Sequence, residues 1–179
     1  MVQYYLDVKI LGKPYTDHMR DEVDELSDAW ATQRPDLDLG AVAVFSRISR
    51  LAKRLDLARR EAFTAHGIES WEFDVLAALR RTGDPYELSP GRLLKETLVT
   101  SGTMTNRVDR LAARGLVERH PDPDDRRGVI VRLTAEGLRA VDGAFEALLA
   151  AEAQLLTSLS ARDQKKLADL LRTLLAPFS

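Results

Sequence analysis

Between Thr100 and Leu111 the chain sets seven side chains able to bond DNA, Thr100, Ser101, Thr103, Thr105, Asn106, Arg107 and Arg110, and the acid Asp109 around three apolar ones, Met104, Val108 and Leu111. The apolar residues recur at intervals of four and three, the spacing of one helix face. On the remaining faces the hydroxyls suit phosphate oxygens, while Asn and Arg present the paired groups that read adenine and guanine edges. This is the chemistry of a helix lying in a DNA groove, and all seven polar residues are candidates for DNA contact.

Other chemistries find no such set. His18, His66 and His120 are far apart and share no metal-ligand spacing with a second His or a carboxylate. The chain has no cysteine, which excludes a disulfide framework, a thiolate metal site and a thiol redox sensor. Its serines fall in caps and turns, with neither a Gly-x-Ser-x-Gly elbow nor a glycine-rich phosphate loop. The sequence therefore predicts neither an enzyme nor a cofactor.

The polar helix must be held by its neighbours. Apolar Met19, Val23, Leu26 and Trp30 mark one stripe of an acidic helix over 15–31, ended before Pro35. Asp36 or Asp38 can cap a long helix from Leu39 to His66, rich in arginine between Arg47 and Arg60 and stopped by Gly67. That basic stretch reads as a solvated face. Ser70 can cap a helix over Trp71 to Arg81, and Ser89-Pro90 opens a short one to about Glu96. The helix capped by Thr100 or Ser101 runs to Arg114. Two strand-like runs, 116–119 and 129–133, then flank the charged loop 121–128. Thr134 caps a helix to about Leu159, and Ser160 caps a last one with Leu167, Leu170, Leu171, Leu174 and Leu175. Three helices followed by a charged hairpin is the order of a winged helix-turn-helix in a mainly α fold. Residues 1–14 are compatible with either a short strand or an irregular arm.

The net charge of −2 over 179 residues is unevenly spread. Residues 1–40 hold nine acids against four bases, which leaves the rest of the chain with a surplus of three positive charges. DNA binding would then depend on where the arginines sit. No run approaches the roughly 18 apolar residues of a membrane span, and Met1 to Leu11 carries Asp7 and Lys9 without a basic leader. A cytoplasmic location is expected.

The run from Leu98 to Leu111 (LVTSGTMTNRVDRL), then GLVER at 115–119, PDPDDRRG at 121–128 and VRLTAEG at 131–137, closely resembles the MarR-family signature. The resemblance spans about 40–175. It implies a two-fold homodimer with intertwined N- and C-terminal helices around two winged lobes, bound to double-stranded DNA at a pseudopalindromic operator. The chain would divide into dimerisation helices over 1–66, a DNA-binding lobe over 67–137 and further dimerisation helices over 138–179. In such proteins a wing Asp orients an Arg that enters the minor groove, and Asp125, Arg126 and Arg127 match that pattern, with Arg127 at the tip.

A narrower resemblance, to the urate-responsive subgroup with an added first helix, implies a ligand site of Trp30, Asp74, Arg107 and Arg119. A planar anion would stack on the Trp and be neutralised by the arginines, displacing Asp74 from its pairing. On the residues alone, Trp30 equally suits a hydrophobic anchor and Asp74 a solvated helix position. Arg119 equally suits a pairing with Glu118 or another wing acid. The sequence thus predicts a repressor released by a small anionic aromatic effector, or alternatively a ligand-independent or architectural DNA-binding protein.

Overall fold

The computed structural model describes residues 20–97, 100–123 and 128–178. Asp125, Arg126 and Arg127 lie outside the described residues, as do residues 1–14. The chain forms two compact units, one ending at Lys53 and the other beginning at Arg54.

In the first unit, α1 (Glu22–Gln33) begins at a cap supplied by Asp21, while Met19 and the rest of 15–19 lie outside the described residues. Its Oδ1 accepts from the backbone N–H groups of Val23 and Asp24 at 2.8 and 3.1 Å, and Asp24 returns the bond to the Asp21 N–H at 2.9 Å. This reciprocal pairing satisfies amides that a bare helix end leaves without partners. The following helix, α2 (Gly40–Ala65), whose residues from Arg54 on belong to the second unit, begins after Asp38, whose Oδ1 accepts from the Gly40 N–H at 2.9 Å. Arg47 donates to Asp21 at 2.8 Å and to Asp24 at 2.7 Å, and Arg50 pairs with Glu22 at 2.8 Å. Two arginines expected on a solvated face thus answer the acids of α1.

The second unit holds α3 (Ser70–Arg80), β1 (Glu87–Leu88), α4 (Pro90–Thr97), α5 (Ser101–Ala113), β2 (Val117–Pro121), β3 (Val129–Leu133), α6 (Ala135–Leu155) and α7 (Ala161–Leu175), ending in a 3-10 turn. Ser70 is the first residue of α3, not its cap; that place belongs to Glu69. Val75, Leu76 and Leu79 of α3 meet Leu93, Met104, Val108, Leu111, Val131, Val141 and Ala144 in one fully buried core. Phe73 stacks on Phe63 at 4.2 Å and approaches Phe145 at 6.4 Å, while Arg80 reaches Asp142 at 2.8 Å, so α3 is fastened to α6 by rings and charge.

The expected two-stranded hairpin is one part of a three-stranded antiparallel sheet ordered β1-β3-β2. β1 is only two residues long, too short to show alternation, and is held by the rung Glu87 to Arg132, whose side chains also bond at 2.6 Å. The wing is rooted at the start of α6. Thr134 caps that helix at Gly137 and donates to the Gly115 carbonyl at 2.7 Å. Any Cβ on Gly137 would come within 2.0 Å of the Leu116 carbonyl oxygen, so only glycine lets the helix press against the root of β2.

No helix among the described residues is long and apolar enough to cross a membrane.

Candidate nucleic-acid interface

Helix α5 docks on the core through Met104, Val108 and Leu111, each at most 1% exposed. That orientation leaves Thr100, Ser101, Thr103, Thr105, Asn106 and Arg110 exposed and Arg107 half-buried, so the helix presents all seven predicted DNA-contact residues away from its core stripe. Thr100 stands at the N-cap, but its hydroxyl pairs with that of Thr103 at 2.9 Å and makes no cap bond to the backbone. The first-turn amides of α5 are thereby left to an external acceptor, the arrangement that suits a phosphate. Thr105 donates to the Ser101 carbonyl at 3.2 Å.

Four residues before or on α3 hold the arginines of α5 and its C-cap, and sequence reasoning missed their role. Trp71 lies beneath Arg107 and Arg110, and its Nε1 donates to Glu69 Oε2 at 2.7 Å. Arg114 donates to the Gly67 carbonyl at 2.5 Å and to the buried carboxylate of Glu72. Glu72 also accepts from the Glu69 N–H at 2.9 Å, while its Oε1 is buried without a hydrogen-bond partner among the described residues. Trp71, Gly102, Thr103, Asn106, Arg107 and Arg110 line an open hollow of about 430 Å³ on this face.

Asp74, exposed on α3, has a carboxyl whose pKa is raised by partial desolvation; Arg107, then Arg59 and Arg81, pull in the opposite direction. Arg119 pairs with Asp109 of α5 at 2.6 Å. Glu118 cannot serve it, because successive strand residues point to opposite faces; Glu118 instead lies 2.9 Å from His120, two residues on. Asp109 is two residues past Arg107, about 200° round the helix, so the pairing seats Arg119 on another side of α5. Trp30, half exposed, belongs to the unit that ends at Lys53.

The profile of the MarR family matches residues 66–128, which run from just past α2 to the residue before β3. The transcriptional regulator PecS of Dickeya dadantii is 34% identical over 150 residues, 84% of this chain and 90% of that protein. The chain belongs to the MarR family. A cysteine-to-serine variant of Escherichia coli MarR, solved with operator DNA, superposes with a TM-score of 0.64 at 28% identity, covering 78% of this chain and 99% of that one. BpsR of Bordetella bronchiseptica, described as regulated in DNA binding by 6-hydroxynicotinic acid, gives a TM-score of 0.60 at 26% identity over 73% of this chain and 91% of that one.

As a MarR-family winged-helix protein the chain is a transcription regulator, not an enzyme. The MarR-family match covers the candidate DNA face and the Asp74 and Arg107 neighbourhood together. Among the residues the narrower resemblance singles out, Asp74 and Arg107 are brought within electrostatic reach, while Arg119 is engaged by Asp109.

Proposed function

We propose that this regulator is a cytoplasmic homodimeric repressor that grips a pseudopalindromic operator with α5 and the wing and is released by a small planar aromatic anion. The observation that carries the reading is the hydrogen-bonding outer face of α5, oriented by a stripe buried to within 1%. Thr100, Ser101, Thr103 and Thr105 would position the helix on phosphates, and Asn106, Arg107 and Arg110 would read base edges. Arg127, oriented by Asp125 beside Arg126, would enter the minor groove. Two such lobes need half-sites about one DNA turn, roughly 34 Å, apart.

Release would work through Arg107, which lies over Trp71 on the DNA face and also bears on Asp74. An anion that takes Arg107 from Asp74 moves a DNA-reading side chain, and the ligand shifts the equilibrium only by its preference for that displaced state. A urate-like or phenolic anion has the required charge and plane, and the hydroxynicotinic acid described for BpsR is of that class. A ligand-independent regulator is the second reading; it is favoured by Arg119 being held by Asp109 on a different side of α5.

The test is a titration of the full chain against a palindromic duplex from its own upstream region, with and without urate, hydroxynicotinate and phenolic acids. Release by one of them, lost in Asp74→Asn and altered in Trp30→Phe and Arg119→Ala, supports the sensor. Tight binding indifferent to every ligand leaves the second reading. Arg127→Ala should lower the salt slope of binding by about one. Thr103→Ala and Asn106→Ala should change base preference, and a uniform weakening would make them positioning contacts.

A further inference from the structure

Glu69 and Trp71 touch the two arginines that α5 offers to DNA, yet neither is on α5. The guanidinium carbons of Arg107 and Arg110 stand 5.5 and 4.6 Å from the centre of the Trp71 ring. Glu69 bridges the set, accepting from Trp71 Nε1 through Oε2 at 2.7 Å and facing Arg110 through Oε1 at 3.5 Å. The Glu69 backbone is itself pinned, since its N–H donates to the buried carboxylate of Glu72 at 2.9 Å.

From this geometry we infer that Glu69 and Trp71 are specificity-determining residues: Trp71 holds Arg107 and Arg110 in a pose suited to base edges, and Glu69 discourages their use on phosphates of arbitrary sequence. The inference rests on α5 being the DNA-contacting helix. A guanidinium lying on an indole face has its plane restricted while its N–H edge stays available. Bidentate recognition of guanine needs that fixed plane; contact with a phosphate does not. Glu69 acts through charge. Its side chain is 62% exposed and its 3.5 Å approach to Arg110 is loose, so the carboxylate remains close to where the DNA backbone must come. Non-operator binding is almost entirely phosphate attraction, and a fixed negative charge weakens it. On an operator, base contacts make up the difference.

The two residues therefore carry opposite signatures. Glu69→Gln keeps an acceptor for Trp71 Nε1 and drops the charge, so it should strengthen binding to arbitrary DNA. Trp71→Leu keeps apolar bulk and drops the ring face, so it should weaken operator binding and leave arbitrary DNA alone. Both changes lower the ratio of operator to non-operator affinity.

The experiment uses the full chain and two duplexes of equal length: the sequence that the wild type itself enriches from a randomised pool, and a shuffled version of it. Glu69→Gln should bind the shuffled duplex about threefold to tenfold tighter with operator affinity within about twofold, the range of one exposed charge contact. Trp71→Leu should lose about tenfold on the operator alone, the loss expected from two cation–π contacts. Trp71→Phe, which keeps a ring but loses the Nε1 donor, should fall between, and it maintains the test where Trp71→Leu unfolds. Equal shifts on both duplexes, or none, overturn the inference. Arg110→Ala separates the two levels. If it weakens the operator while the Glu69 and Trp71 variants keep the ratio, this inference alone fails; if it changes neither duplex, the placing of α5 on DNA fails with it.

Discussion

Helices α5 and α7 are of similar length, 13 and 15 residues, and each carries an apolar stripe. Helix α5 buries its stripe to within 1%, whereas α7 buries nothing and leaves Leu170, Leu171, Leu174 and Leu175 between 37 and 62% exposed. Apolar periodicity of the same quality thus serves two different ends. In α5 it closes a core within the chain and so frees the opposite face for recognition. In α7 it stays open, as do Phe145 and Leu149 of α6, and exposed apolar stripes of this kind are what a second copy of the chain would cover.

Placing a charge on α7 gives the largest effect that would break this contrast. Leu174→Asp should convert the protein to a monomer by analytical ultracentrifugation and weaken operator binding at least about a hundredfold, since two half-sites then bind separately. Its helical signal should be retained. If Leu174→Asp stays dimeric with full affinity, the open stripe is not the subunit interface.

Truncating the closed stripe should do the reverse. Leu111→Ala, at a fully buried position on α5, should cost about 2–5 kcal/mol of unfolding free energy through lost burial and the cavity left behind. Chemical denaturation measures this, and subunit association below the unfolding transition should be unchanged. A loss of association at full stability would mean that α5 and α7 share one role after all.

Arg114→Ala sharpens the comparison at the rim of the closed region. It strips the partner from Glu72, which is 1% exposed, and should cost about 2 kcal/mol by the same denaturation measurement; the 43% exposure of the Arg114 side chain keeps it below a fully buried pair. Glu72→Gln, which needs no counter-charge, should recover part of the loss in the double variant.

Much of this contrast was legible in the sequence. The long helices announce themselves through apolar residues three and four apart with caps at Thr134 and Ser160, and the face of α5 is readable because one helix carries all of it. What escaped is what depends on partners distant along the chain. Glu72 and Arg114 are 42 residues apart, and the first-turn position of Trp71 on α3 carries no hint of the arginines above it. Of the partners open to Arg119 in the sequence, Glu118 is ruled out because adjacency in sequence is opposition on a strand, and Asp109 lies ten residues away on α5. β1 was missed because two residues have no period, and its place comes from β3.

The helix α1 is held in a third way, and the smallest effect tests it. Its N-terminus meets α2 through ions, with Arg47 shared between Asp21 and Asp24. The hydrogen bond from Arg47, ahead of the backbone amides of Asp24 and Val23, holds the Asp21 carboxyl down at about 2. A depressed carboxylate stabilises the folded state fully above its unfolded value near 3.8, and that contribution disappears as the pH falls through about 2. Both side chains are exposed, so the effect should be small and sensitive to salt. Following the Asp21 carboxyl by NMR should give a midpoint close to 2 that moves upward in Arg47→Gln. A midpoint near 3.8 in the wild type would mean that Arg47 does not hold the cap, and that α1 depends on apolar contact as the other helices do.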